Sequence, residues 1–319
     1  MTAPADPFAT LKSRRYVALL VLAAILGAPV SAAAYWFLKL TDLLQGWTYH
    51  DIPDAVGFDG EPIWWPVIPL FVAGIVVALT IRFLPGRGGH SPADGFKPGG
   101  VALPNVLPGV ALAALASIGL GAVIGPEGPL VALGGGLAYL AVSLARRDIP
   151  LPAAAVIAAT GSFAAISALF GSPLASAFLL MEATGLGGPL ATTVLLPGLL
   201  ASGIGALVFI GFDSLTGYGT FSLTIPNLPA MPTPTGADLG YALAAGVVAA
   251  PLCMLIRAGA LRLRPFVDGR VLWTPLIGLA MAGLAIAYAE ATGHSSSDVL
   301  FSGQSGLPSL VSGHAHQVE

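Results

Sequence analysis

Charge is scarce in this 319-residue chain: Asp, Glu, Lys and Arg make up 9% of it, where a soluble globular domain carries roughly 25%. That shortage excludes an ordinary soluble protein. Cysteine is scarcer still. Cys253 is the sole one, so an internal disulfide and a thiolate metal cage are both excluded, and its apolar surroundings make it a small buried hydrophobe in expectation. The formal net charge is -3 and no long basic run exists, which leaves no electrostatic footprint for nucleic acid. No nucleotide-binding loop, metal-ligand cluster or soluble regulatory domain is visible, and no cofactor is expected.

What is abundant is apolar and small. Hydrophobic residues reach 55%, with 41 glycines and 27 prolines beside them. This combination suits helices packed backbone to backbone in lipid, many of them interrupted. The expected fold class is therefore all-α, a polytopic integral membrane protein with broken and re-entrant helices. Apolar segments run over 16–40, 64–84, 106–124, 130–145, 151–170, 174–184, 190–210, 241–260 and 271–291. Crossing the hydrocarbon takes about 20 helical residues. The segments 130–145 and 174–184 fall short of that, so they are expected as half-spans, tilted helices or re-entrant pieces. Irregular backbone at such depth survives only when buried in protein or lining a wet cavity.

Basic residues mark the cytoplasmic side. All but one of the 13 Lys and Arg residues fall into four clusters: Lys12 with Arg14 and Arg15; Arg82 with Arg87 and Lys97; Arg146 with Arg147; and Arg257, Arg262, Arg264 and Arg270. The intervening loops carry Asp42, Asp51, Asp54, Asp59 and Glu61, then Asp213 and Asp238, then Glu290 and Asp298. The N-terminus is thus predicted inside. The first apolar run carries a signal-like Ser31-Ala32-Ala33-Ala34, but eight further apolar segments favour an uncleaved first helix. Parity then requires 106–124 and 130–145 to go outward and return, which puts Gly125-Pro126-Glu127-Gly128-Pro129 toward the outer face and Glu182 toward the cytoplasm.

Glu127 and Glu182 are the acids that fall within apolar segments or the tight breaks joining them at membrane depth. A carboxylate there finds partners, lines water or holds a proton. Each is a functional candidate; the plainer reading makes Glu127 an exposed acid favouring a helix N-terminus and Glu182 a solvated acid at a helix end. Gly125 and Gly128 let backbone approach a ligand, and Pro129 opens a helix whose first N–H groups are unpaired. Gly171-Ser172-Pro173 is a second opening of this kind, with Ser172 as cap, and Gly88-Gly89-His90-Ser91-Pro92 a third. Three such openings in or beside the membrane suit an anion site built from helix N-termini and hydroxyls.

These stretches resemble the CLC family of chloride channels and chloride/proton antiporters. Gly125-Pro126-Glu127-Gly128-Pro129 is similar to its G-(R/K)-E-G-P motif. Ala159-Thr160-Gly161-Ser162-Phe163-Ala164-Ala165 through Phe170-Gly171-Ser172-Pro173-Leu174-Ala175 resembles its A-T-G-x-A-A-G-(…)-F-x-x-P-L-A run, and Phe178-Leu179-Leu180-Met181-Glu182 its F-x-x-E-E. Gly88-Gly89-His90-Ser91-Pro92 is a looser match to G-S-G-I-P. Order and spacing agree from about residue 16 to 310. The resemblance implies that Glu127 is the external gate, competing with chloride when ionised and moving aside when protonated. It implies that Glu182 passes protons to and from the cytoplasm. It assigns anion binding to Gly89, His90 and Ser91, with Ser91 preferred, and to Gly125 and Gly128. Pro126 departs from the motif by removing a cation and a donor beside the gate.

The family's transmembrane unit is two inverted repeats. On that plan residues 1–15 are a cytoplasmic tail, 16–210 the first repeat, 211–240 an extracytoplasmic loop and 241–319 the start of a second repeat. The second repeat is incomplete, because the later G-x-F-x-P start and anion-binding tyrosine are missing, so the chain reads as a fragment. A homodimer in a bacterial plasma membrane, exchanging chloride ions and protons, is implied; a passive chloride channel is the alternative. Retention of Glu182 favours exchange, since a relay needs a titratable inner group. A remote alternative is an intramembrane serine peptidase using Ser305 of Gly303-Gln304-Ser305-Gly306, with His314 and His316 nearby. That stretch is polar, and the histidines sit in a tail where they could not serve as base.

Overall fold

The computed structural model describes residues 13–89, 101–146, 148–185, 188–222, 233–267 and 270–301. Every regular element among them is helical: α1 Arg14–Gly46, α2 Ile52–Val56, α3 Val67–Phe83, α4 Leu107–Gly119, α5 Glu127–Ala145, α6 Leu151–Ala165, α7 Pro173–Thr184, α8 Gly188–Thr216, α9 Gly236–Val267 and α10 Trp273–Thr292. A π-helical turn over Trp47–Asp51 joins α1 to α2, and short 3-10 turns occupy Pro85–Gly88, Pro104–Val106 and Ser296–Val299. Each apolar segment of the sequence thus carries a helix. Five of the helical stretches are long and apolar enough to cross a membrane.

Two segment lengths differ from expectation. The helix expected over 130–145 begins at Glu127 and runs for 19 residues, about 28 Å, enough to cross. Charged Glu127 ends the apolar run without ending the helix, and Pro129 stands third in the first turn instead of opening it. Conversely, the apolar run 151–170 yields a helix of only 15 residues, because the chain turns at Ile166–Leu169 while staying buried. The piece at 211–240 is shorter than expected as a loop, since α8 extends to Thr216 and α9 starts at Gly236.

The main bundle packs α1 against α6 and α8, and α5 against α6. On α1 the faces divide cleanly: Ala23, Leu26, Val30 and Ala34 are buried, whereas Val17, Val21 and Ile25, spaced four apart, look outward as a lipid-facing stripe. Small residues let the backbones meet. A side chain on Gly161 would run into the Gly134 carbonyl, and one on Gly135 would lie 3.0 Å from the Ala158 carbonyl, so α5 and α6 touch through glycine. Ser31, in the signal-like Ser31-Ala32-Ala33-Ala34 stretch, is fully buried and donates to the Ala164 carbonyl at 2.8 Å. The first helix is therefore a structural member of the core.

A second, smaller core joins the far end of α1 to α3 and α10 through Tyr49, Trp65, Leu70, Ala282, Ala285 and Leu300. Gly74 meets the backbone at Pro275, and Gly278 the Leu70 carbonyl, so α3 and α10 also approach through glycines. By contrast α9 buries none of its residues. Cys253 lies on it and is exposed, against the expectation of a buried position: an apolar neighbourhood in sequence fixes hydrophobicity, not which helix the fold covers.

Candidate functional site

The first helix break, residues 120–126, interrupts the chain between α4 and α5. Past the regular ladder of α4 the Ala122 and Gly121 amides bond the Ser117 and Ile118 carbonyls at 2.8 and 3.3 Å, and long-range donors reach the same stretch. Gln45 Nε2 donates to the Ile118 carbonyl at 3.0 Å, Tyr49 Oη to that of Leu120 at 3.0 Å, and the Phe301 amide to that of Gly121 at 3.2 Å. Gly121 has φ of +99° and lies so close to the Tyr49 hydroxyl that a side chain there would collide with it. Only glycine meets both demands. Val123 and Ile124, between these anchors and α5, are exposed.

Glu127 is the first residue of α5, after Pro126 with φ of -76° and ψ of -6° and with no side-chain cap. Leu130 N–H bonds back to the Pro126 carbonyl at 2.9 Å. Because Pro126 and Pro129 have no N–H, Glu127 and Gly128 supply the free amides of this terminus. Gly128 faces open space, with nothing within 4 Å of where its side chain would stand. The Glu127 carboxylate folds back over Gly125, where a β-carbon would overlap it. Half-buried Glu127 therefore rests on backbone that a larger residue would deny it. Among the described residues it has no ion-pair partner, as expected with Pro126 in place of a cation.

The second break, 166–172, leads into α7. Ser172 caps α7 as expected, accepting from the Ala175 amide at 3.4 Å, with Pro173 in the first turn. Glu182 stands in the last turn of α7 and is exposed, just before Gly185 closes the helix at φ of +63°. The third opening is described only to Gly89, whose φ is +112°; His90 and Ser91 lie outside the described residues, as do Ser305, His314 and His316. Gly86, Arg87, Gly88 and Gly89 all have positive φ, a strained course for Arg87. Gly89 packs toward Val110, in the first turns of α4, whereas Glu127, Gly125 and Gly128 follow the other end of that helix. The structure thus groups Gly125, Glu127 and Gly128 and leaves Gly89 apart from them. Gln45, Tyr49 and Phe301 at the first break went unrecognised in the sequence. The π-helical Trp47–Asp51 turn and the positive φ of Phe301, +60°, mark where they act.

A profile of the voltage gated chloride channels matches residues 97–317 of the chain. The chain belongs to that family. Among curated proteins it is 29% identical over 171 residues to YfeO of Salmonella newport (strain SL254), provisionally described as an ion-transport protein, and equally to YfeO of Salmonella agona (strain SL483). The match covers 54% of this chain and 41% of each relative, so the chain spans about two fifths of the relatives' length. Among solved structures, a CLC-type fluoride/proton antiporter superposes with a TM-score of 0.64 at 19% identity, covering 89% of this chain and 67% of that one. A slow cyanobacterial chloride/proton antiporter does so with a TM-score of 0.57 at 16% identity, covering 83% and 62%. These likenesses establish the fold, that of an integral membrane protein.

Proposed function

We propose that the whole protein is a proton-coupled anion exchanger, with chloride as the anion, Glu127 as the outer gate and Glu182 as the inner proton relay. The observation that carries this reading is the seat of Glu127. Its carboxylate lies over Gly125 at the mouth of a terminus whose free amides are its own and that of Gly128. A negative side chain and a mobile anion compete for such donors, and protonating the side chain removes the competition. Gly125 and Gly128 serve the anion by keeping the backbone accessible; Gly89, His90 and Ser91 serve it at the third opening. Glu182, exposed in the last turn of α7, is accessible to protons from water.

The same reading places the N-terminus in the cytoplasm of a bacterial cell with the protein in the plasma membrane. It takes 16–210 as the first repeat, 211–240 as the outer connection and 241 onward as the second repeat, in a homodimeric whole protein. Reconstituted in liposomes, the whole protein should drive proton movement from a chloride gradient. Glu182→Gln should abolish proton flux and spare chloride flux. Glu127→Gln should uncouple the two and flatten the pH dependence of chloride flux. Persistent pH dependence in Glu127→Gln would overturn the gate assignment, and chloride flux with no proton movement in the wild type would make the protein a passive channel.

A further inference from the structure

The break that delivers Glu127 to α5 is held from outside its own helices. Tyr49, only 2% exposed, closes the Leu120 carbonyl with its hydroxyl and fills the space that Gly121 leaves. The Phe301 ring meets the Tyr49 ring edge to face at a centroid distance of 5.0 Å, while the Phe301 amide holds the Gly121 carbonyl. Phe301 does this at φ of +60°, a conformation unfavourable for an aromatic residue, kept where surrounding contacts over-determine it. The turn that presents Phe301 is itself tied down: Ser295 caps it and donates its hydroxyl to Glu61 on the loop before α3. Leu300 is buried beside Tyr49 in the second core. Trp65 Nε1 completes the frame by donating to the Thr48 carbonyl at 2.8 Å.

We propose that Tyr49, backed by Phe301, is a positioning residue that fixes the 120–126 break and thereby sets where the Glu127 carboxylate rests. This rests on Glu127 being the outer gate. Tyr49 touches neither ion; it acts through the Leu120 carbonyl and Gly121, whose own carbonyl is held by the Phe301 amide. The contact also couples the 241–319 stretch, through Phe301, to the break before Glu127 in the 16–210 stretch. Glu61, which accepts from Ser295, is unaltered in the variants that test the idea.

The test is Tyr49→Phe in the whole protein, with Phe301→Gly as a second variant that keeps the backbone amide and its positive φ but removes the ring. Two quantities are read: amide hydrogen exchange over 121–125 and the pH at half-maximal chloride flux in liposomes. Losing one hydrogen bond to the break should speed exchange there about fivefold. The half-maximal pH should move by about half a unit, with maximal flux within about twofold of wild type. Phe301→Gly should move both in the same sense. Faster exchange with an unmoved flux profile would make Tyr49 a merely structural residue and overturn the inference, as would unchanged exchange. A wild type whose flux ignores external pH overturns the gate reading, and the inference with it. A wild type that responds, with Tyr49→Phe coinciding, overturns the inference alone.

Discussion

The two places where a helix stops inside the bundle are built in opposite ways. At the 166–172 break hydroxyls from within the core reinforce the carbonyls: Ser31 donates to Ala164, Ser176 to Ser167 at 3.1 Å, and Ser202 to Pro173 at 2.9 Å. All three hydroxyl-bearing residues are fully buried. At the 120–126 break the long-range donors come from outside the main core, from Gln45 and from Tyr49 and Phe301 of the smaller core, and Val123 and Ile124 stay exposed. Unpaired carbonyls away from water are costly in both places. The deep break is closed by short side chains that have nowhere to go, so it acts as scaffold. The peripheral one is held by three long-range contacts from outside the main core, and it carries the acid.

The contrast breaks most visibly if the scaffold side tolerates change. Gly161→Val puts a branched side chain into the Gly134 carbonyl and the Ala138 methyl, and backbone cannot yield as a side-chain tip can. A loss of about 3 kcal/mol or more is expected, seen as failure to purify as a folded species or a large fall in Tm in detergent. Ser31→Ala is milder. It removes one donor from the Ala164 carbonyl, which keeps the Ser167 amide at 3.3 Å, and should cost about 1 kcal/mol while the pH dependence of any transport stays as in wild type. A Ser31→Ala protein with unchanged Tm would mean that the deep break does not rely on its serines.

How far these features could be read from sequence follows the same division. Helices were legible because apolar runs and Gly-Ser-Pro openings are local signals. The Ser172 cap was read correctly from three adjacent residues. Where α6 ends was not legible, since Ile166 to Leu169 are nearly as apolar as the helix they follow and turn on their own backbone amides, with the Ser176 hydroxyl added from the core. Ser31 suggested a processing site by composition, yet its partner stands 133 residues away. Tyr49 and Gln45 were likewise silent, with partners 71 and 73 residues off. The acid Glu127 stood out because charge in an apolar chain is rare; what holds its loop did not, because aromatic and amide side chains at a helix end are common.

Gly125→Ala sharpens the comparison from the peripheral side. The added methyl collides with the Glu127 carboxylate, the movable end of a side chain, and with no backbone group. Stability should therefore change by less than about 1 kcal/mol, while the carboxylate is driven off its seat. If that seat is the closed gate, chloride flux in liposomes becomes less dependent on external pH, approaching Glu127→Gln. A large fall in Tm with an unaltered flux profile would reverse the argument, making Gly125 scaffold instead of seat.

The smallest structural effect belongs to Gly128→Ala, and that makes it the cleanest probe of the terminus as an anion site. Nothing lies within 4 Å of the new methyl, and alanine suits the second position of α5 better than glycine does by roughly 0.5–1 kcal/mol, so Tm should hold or rise slightly. The same methyl stands beside one of the free amides of the terminus and hinders an ion that must come into contact with it. On the gate reading, chloride flux at acidic pH, where the side chain no longer competes, should fall with stability intact. Flux equal to wild type under those conditions would mean that the anion does not use the Gly128 amide, and would leave competition at this helix start without its second party.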